Sequence, residues 1–293
     1  MNILLVGYGY LGSFLRPRLE NAGHRVVVCD HGAGRLASVP TAINTPYQAL
    51  TQRDLSEFEA ILWFAGHSGV GRSSQDPRGA MANNCFDLLA LAQRKPAAAR
   101  LIYASSASVY SAVHTDPHWA PPTLAESDAR LAPTNAYDAS KAAFEALAPA
   151  FADNCTGLRL GTVSGHSPSF RRDLVFNAMN LTAVEHGHIV LANGYAHRTI
   201  LFLDDLAYYV LQLLALPGAL PSVLNVGSFN LSIAELAFRI AAFYKVPVVA
   251  APDSPTYSFR ISWEKLRSLA GEPVAMSLEA QCEQFRLAVR EHP

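Results

Sequence analysis

The first two dozen residues constrain the fold more than any other stretch. Ile3 to Val6 is a short apolar run, Gly7-Tyr-Gly9-Tyr-Leu-Gly12 follows, and a helical pattern then passes through Leu15 and Leu19 to Gly23. A strand, a glycine turn and a helix start in direct succession form the opening of a βαβ unit, with the glycine spacing of a dinucleotide-binding turn. Gly7 makes the tight turn, Gly9 lets the backbone approach a pyrophosphate, and Gly12 lets helix pack on strand. The free N–H groups at the helix start, where Tyr10 and Leu11 lie, would hold the phosphates. A second apolar strand, Arg25 to Cys29, ends in Asp30, 18 residues after Gly12. An acid there accepts hydrogen bonds from ribose hydroxyls and repels a 2′-phosphate, which favours NAD over NADP. Arg35 in the following loop keeps NADP open. The plain alternative is an ordinary βα turn with a surface aspartate.

The same alternation continues. Thr41 to Asn44 reads as a third strand, Leu50 to Phe58 as a short helix, and Ala60 to Phe64 as a continuously apolar strand of the buried parallel kind. Asn83-Asn84 opens an apolar helix to about Lys95, and Arg100 to Ala104 is the next strand, ending in Ser105-Ser106-Ala-Ser108-Val-Tyr110. A crossover between successive strands predicts an α/β fold, a doubly wound parallel sheet covered by helices on both faces. Ligands of such sheets sit beyond the carboxyl ends of the strands, so Phe64, Ala65 and Gly66 should meet the cofactor. His67, next in line, reads as a loop histidine contacting solvent or substrate hydroxyls in preference to an acid/base.

Tyr137 and Lys141 open an alanine-rich run that favours helix, where a four-residue spacing stacks them on one face. A phenol with a pKa of about 10 is a poor base at neutral pH. An ammonium a few ångströms away should stabilise the phenolate and draw that pKa down. The pair therefore reads as a proton-transfer device for a hydroxyl or carbonyl, with a serine at the end of the preceding strand holding the oxygen.

Composition excludes some classes of function. The 293 residues are 50% apolar, enough for a sizeable core, and 23 Lys+Arg against 24 Asp+Glu give no polyanion-binding excess. Cys29, Cys85, Cys155 and Cys282 show no metal spacing and read as reduced, buried thiols. His166, His186, His188 and His197 likewise lack ligand spacing, so no metal site is expected. The amino terminus reads as a strand and not a signal peptide, and no segment reaches the roughly 20 apolar residues of a membrane span. The expectation is a soluble, cytoplasmic protein that takes a small molecule and engages neither nucleic acid nor membrane.

Taken together, the glycine turn, the serine motif and the Tyr-x-x-x-Lys run resemble the extended short-chain dehydrogenase/reductase family, in particular its NAD-dependent nucleotide-sugar epimerase/dehydratase branch. Phe64 to Pro77 is similar to that branch's segment from the fourth strand into the sugar-facing loop. Ser105 to Tyr110 resembles its serine motif, Glu126 to Lys141 its tyrosine run, Arg198 to Ala207 its substrate-lobe motif, and Asn225-Val-Gly227 its last strand. The resemblance implies a Rossmann-type sheet with a smaller mixed α/β substrate-binding lobe, and a homodimer through the helices starting near Asn83 and Lys141. It implies Ser106, Tyr137 and Lys141 as the catalytic group, with Lys141 also on the nicotinamide ribose. Asn84 would order the lysine and a water, and Arg198 would reach a nucleotide diphosphate, a role suited to bidentate geometry.

The chain also departs from the family pattern. The turn is Gly-x-Gly-x-x-Gly where the family has Gly-x-x-Gly-x-x-Gly. Thr162 stands where the family has a phosphate-binding asparagine. Ala251-Pro-Asp253 lacks the family's second phosphate arginine, for which Arg171, Arg172 or Arg260 would substitute. Ala107-Ser108 replace the Asp-Glu pair of the dehydratases, which argues against water elimination. The resemblance thus implies a sugar-nucleotide epimerase, most plausibly at C4, or alternatively an NAD(P)-dependent reductase or dehydrogenase of a keto-sugar or other small carbonyl compound. A cofactor-sensing protein without activity is a further alternative.

In the carboxy-terminal part, Leu158 to Val163 reads as one strand, and Ile189 to Leu191 and Thr199 to Leu203 as short strands. Leu206 to Leu216 reads as a helix, and Ser232 to Tyr244 as an amphipathic helix with a capping box from Ser232 to Glu235. The expected division is residues 1–165 for the cofactor domain, with strand 223–227 and helix 232–244 returning to it, and residues 166–222 and 245–293 for the smaller lobe.

Overall fold

The structure is a computed structural model describing residues 1–31, 36, 39–43, 45–110, 112–113, 120–128, 133–254 and 256–291. Arg35, Asn44 and parts of the loop from Ala112 to Pro133 lie outside the described residues. Seven strands form the central sheet: β1 (Asn2–Val6), β2 (Arg25–Cys29), β3 (Ala42–Ile43), β4 (Ala60–Trp63), β5 (Arg100–Ser106), β6 (Cys155–Leu160) and β7 (Val223–Val226). Every neighbouring pair is parallel, in the order β7-β6-β5-β4-β1-β2-β3. The order reverses between β1 and β4, which opens a crevice at their carboxyl ends.

The apolar strands read as continuous because each feeds two cores. Ile3, Leu5, Val26, Val28 and Leu62 pack under the helices Tyr10–Asn21 and Leu203–Ala215. The alternate residues Leu4, Val6, Val27, Ile61 and Trp63 pack under Asp87–Arg94 and Ala136–Phe151. A side chain of this kind contributes about 1.5–3 kcal/mol when fully buried, so neither face of the sheet tolerates a polar substitution.

The segment 158–163 is not one strand. β6 ends at Leu160, the chain turns at Gly161, and Thr162–Ser164 enters a separate three-stranded sheet with His197–Phe202 and Phe229–Ser232. A Cβ on Gly161 would lie 2.7 Å from the Thr199 carbonyl oxygen, so only glycine lets the two sheets meet there. The chain passes between the layers at Gly161, at Phe202–Leu203 and between Val226 and Phe229, and again on either side of helix Glu264–Ala270, whose Leu266 and Ala270 lie in the central sheet's core.

Three helices pack differently from the expected domain division, among them Glu264–Ala270, expected in the lobe segment 245–293, whose Leu266 and Ala270 join the central sheet's core. Helix Ile233–Tyr244, expected to return to the first domain, puts Leu236 and Ile240 into the second lobe's core with Phe176, Phe202 and Phe285. Helix Leu203–Ala215, expected in the lobe segment 166–222, puts Leu206, Val210 and Leu213 against the central sheet. Amphipathic periodicity finds a helix's apolar face but does not say which sheet it covers. The Ser232 cap is present, with the Glu235 N–H donating to Ser232 Oγ at 3.0 Å.

Candidate active site beyond the sheet's carboxyl edge

A cleft of about 490 Å³ opens at the crevice, lined by Gly7, Gly9, Tyr10, Leu11, Asp30, Phe64, Ala65, Gly66, His67, Ser106, Tyr137, Lys141 and Thr162. Thirteen positions named from sequence therefore converge on one recess. Gly12, Asn84 and Arg198 do not line it. A larger recess of about 990 Å³ lies between Phe14, His166, Phe170 and Phe285, and both of its arginines are held in ion pairs. Arg18 pairs with Asp204 at 2.9 Å and Arg172 with Glu185 at 2.6 Å. Most of the site residues named from sequence gather in the smaller cleft.

The glycine turn is built as its sequence demands. Gly7 has φ +99°, and a Cβ there would lie 2.3 Å from the Ala65 nitrogen; a Cβ on Gly12 would lie 1.9 Å from the Gly7 carbonyl oxygen. Gly12 thus acts through packing. The helix starting at Tyr10 carries no side-chain cap on Gly9, which leaves its terminal N–H groups toward the cleft. Asp30 Oδ2 accepts the Tyr8 N–H at 2.6 Å, which pins the carboxylate over the turn.

Asn84 lies one layer below the cleft. It sits in the π-helical turn Ala82–Phe86, a widening often found at functional sites. Its Nδ2 donates to the His67 carbonyl at 3.2 Å and to Ser140 Oγ at 3.0 Å, while its buried Oδ1 has no partner. Gly66, at φ +155°, leaves room for that oxygen, since a Cβ would approach it to 2.4 Å. The uncapped helix end, the close-packed glycines, the acid at Asp30 and an orphaned buried acceptor near Lys141 together fit a dinucleotide.

Helix Ala136–Phe151 begins with Asn135 as its cap, whose Oδ1 accepts the Asp138 N–H at 3.0 Å, so Tyr137 falls in the first turn. Lys141 Nζ donates to the Ala104 carbonyl at 2.8 Å and lies 5.8 Å from the Tyr137 ring centroid. The expected lowering of the phenol pKa is not found. Burial pushes Tyr137 up to about 12, countered by a hydrogen bond with Ser106 and reinforced by the charge of Asp138. Burial likewise pulls Lys141 down to about 8, which Glu145 partly opposes. Desolvation outweighs pairing here because the ammonium's hydrogen bond goes to a backbone carbonyl and not to the phenol.

The remaining predicted residues are placed as follows. His67 lines the cleft, its Nε2 3.5 Å from Asp76 Oδ2. Arg198 is buried away from the cleft, donating to Thr256 Oγ1 at 2.8 Å and to the Tyr257 carbonyl, with its guanidinium 4.2 Å over the Tyr257 ring. The expected reach to a diphosphate is therefore not seen. Of the three substitute arginines, Arg171 is the one at the cleft, bonded to Ser68 Oγ at 3.1 Å and Asp173 at 2.6 Å.

Sequence reasoning did not pick out Tyr47, Asp138, Tyr257 or Phe259. Tyr47, Tyr257 and Phe259 line the cleft, and Asp138 meets it through Ser108. Tyr257 and Phe259 arrive from a distant stretch with no motif. Asp138 follows Tyr137 directly, which was signal enough to notice it. Behind the site, Glu145 and Arg159 form a buried pair at 2.6 Å that also engages Ser105 and Tyr110.

The chain matches the model of the NAD dependent epimerase/dehydratase family over residues 3–227. It is 29% identical over 218 residues to UDP-glucose 4-epimerase of Corynebacterium glutamicum, covering 70% of this chain and 63% of the relative. It is 33% identical over 150 residues to UDP-glucose 4-epimerase of Streptomyces lividans, covering 47% and 44%. The matches thus span less than two thirds of these relatives. The fold is shared with MoeE5 in complex with UDP-glucuronic acid and NAD, at a TM-score of 0.84 and 21% identity over 100% of both chains. Among the described residues, no helix is long and apolar enough to cross a membrane, and no three His, Cys, Asp or Glu side chains group as a metal site. Together the glycine turn, the serine–tyrosine–lysine cleft and the match over residues 3–227 make this chain a member of the NAD dependent epimerase/dehydratase family.

Proposed function

We propose that the protein is an NAD-dependent sugar-nucleotide epimerase that works by proton removal at Tyr137 and reversible redox at C4 of the sugar. The observation carrying this reading is the convergence of Ser106, Tyr137 and Lys141 on the cleft that begins at the glycine turn. Gly7, Gly9, Tyr10, Leu11 and Asp30 would hold the adenosine half of NAD, and Phe64, Ala65, Gly66, Asn84 and Lys141 the other half. Bound NAD supplies a hydride acceptor and, when oxidised, a positive charge. Tyr137 takes the proton of the sugar hydroxyl, for which its pKa must fall from about 12, and nearby positive charge acts in that direction. Lys141, freed from Ala104, holds that charge at the phenol. Ser106 fixes the reacting oxygen, while His67 and Thr162 contact the sugar or its phosphates.

Arg171 is the arginine best placed for the diphosphate, whereas Arg198 would first have to leave Thr256 and Tyr257. Absence of an Asp-Glu pair at 107–108 favours epimerisation over elimination. The reading extends to a cytoplasmic homodimer, for which the exposure of Phe86 (59%) and Phe151 (49%) on the two alanine-rich helices speaks. Conversion of UDP-glucose to UDP-galactose, with NAD absorbance retained through purification, tests the proposal. Tyr137→Phe should cut turnover by roughly 10²–10⁴-fold and leave NAD affinity nearly unchanged. Retained turnover would remove Tyr137 from its role.

A further inference from the structure

Asn177 is fully buried in the first turn of helix Val175–His186 and does not line the cleft. Its amide is nonetheless used to capacity as a donor. The Gly165 N–H can only give, so it fixes Oδ1, which accepts it at 2.9 Å. Nδ2 then gives one proton to the Arg171 carbonyl at 2.8 Å and the other to the Tyr10 hydroxyl at 3.2 Å. The Tyr10 hydroxyl passes its own proton to the Gly165 carbonyl at 2.7 Å. Each of these donors meets one acceptor, so the set locks in a single arrangement.

A second set of bonds holds the same segment to the same helix start. Ser167 Oγ donates to the Tyr10 carbonyl at 2.7 Å and lies 3.0 Å from Ser13 Oγ, which accepts the Ser169 N–H at 3.3 Å. Between Ser164 and Val175 the chain has no helix or strand of its own, so these side chains set its course over the glycine turn. The segment carries Arg171 to the cleft, where the guanidinium gives three of its five N–H groups to Asp173 and Ser68. Those bonds fix the far end of the side chain. We infer that Asn177 is the positioning residue for Arg171: it fixes the backbone from which the guanidinium reaches the cleft and, through Tyr10, sets that arginine against the glycine turn. The phosphate end of the cofactor site and the arginine proposed for the substrate diphosphate then share one hydrogen-bonded frame. The inference rests on the proposed function only for the identity of the ligand that Arg171 meets.

The test reads Arg171 twice in the full-length protein. Without ligands, phenylglyoxal modification of Arg171 is followed by peptide mass spectrometry against that of Arg53, exposed on helix Gln52–Leu55. Asn177→Ala should speed the reaction at Arg171 about fivefold, the scale of one net hydrogen bond, and leave Arg53 unchanged. UDP is then titrated by calorimetry. Asn177→Ala should raise its Kd about fivefold in the wild-type background, and by less than about twofold when Arg171→Ala is already present. A residue that only supports the fold would lower the melting temperature and move neither the rate at Arg171 nor the part of the Kd that depends on it. An unchanged rate at Arg171, or an equal loss of UDP affinity in both backgrounds, overturns the inference. Should Asn177→Ala not fold, Tyr10→Phe takes its place: loss of that hydroxyl should give both effects in smaller measure, and the absence of both overturns it. A wild type that does not bind UDP would defeat the nucleotide-sugar reading and leave the modification rates to decide this inference.

Discussion

Lys141 should be a destabilising residue, and the cost can be worked from its surroundings. The side chain is buried, with one hydrogen bond to the Ala104 carbonyl, and its pKa falls from 10.5 to about 8. A difference of that size corresponds to about 3 kcal/mol against the charged form. Lys141→Met removes the charge at similar volume and forfeits a hydrogen bond worth about 1 kcal/mol, so the variant should gain about 2 kcal/mol at pH 7. The pH dependence is the sharper mark. The folded protein releases the lysine proton near pH 8 and the unfolded chain only near 10.5, so the penalty is complete below about 8 and fades as pH rises toward 10.5. Wild type should therefore gain stability relative to Lys141→Met across that window and, with only the hydrogen bond left to tell them apart, end about 1 kcal/mol the more stable at its upper end. Urea unfolding of both apo proteins from about pH 6.5 to 10.5 reads this directly. A stability difference that is flat with pH, or a wild type more stable than Lys141→Met at pH 7, would refute the reasoning. The same variant should lose turnover, as expected of a site that trades stability for chemistry.

Three further outcomes follow from the site. Gly12→Ala drives a Cβ to 1.9 Å from the Gly7 oxygen, so it should cost at least about 1–3 kcal/mol and weaken NAD binding in a fluorescence titration. Glu145→Gln leaves the buried Arg159 uncompensated and should cost about 3–5 kcal/mol by urea unfolding. Asp30→Asn removes the acid that opposes a 2′-phosphate, so the ratio of NADP to NAD affinity should rise roughly tenfold, about 1.4 kcal/mol.

The central sheet was legible because its information is local. Each strand is a short apolar block, and the turn Gly7 to Gly12 fixes the first crossover by sterics alone. The serine, tyrosine and lysine were legible for the same reason, since each sits at a strand end or on a helix whose pattern shows. Charge balance within the buried site was not. Whether Lys141 lowers the Tyr137 pKa depends on where its ammonium points, and the Ala104 carbonyl decides that. Arg198 is a comparable case, because the aromatic and carbonyl groups that hold it come from Thr256 and Tyr257, some 60 residues away, in a stretch without a motif. The break at Gly161 was hidden because residues 158–163 read as one strand while Leu160 and Thr162 enter different sheets.

That break has a mechanical side. Several separate segments of chain pass between the layers, at Gly161 beside the cleft, at Phe202–Leu203, at Val226–Phe229 and on either side of helix Glu264–Ala270. Two plates joined by one strap swing open like a door, but plates tied by several straps are restricted to small sliding motions. Selection among ligands would then fall to the side chains already facing the recess, and neither layer could be cut out as an autonomous unit.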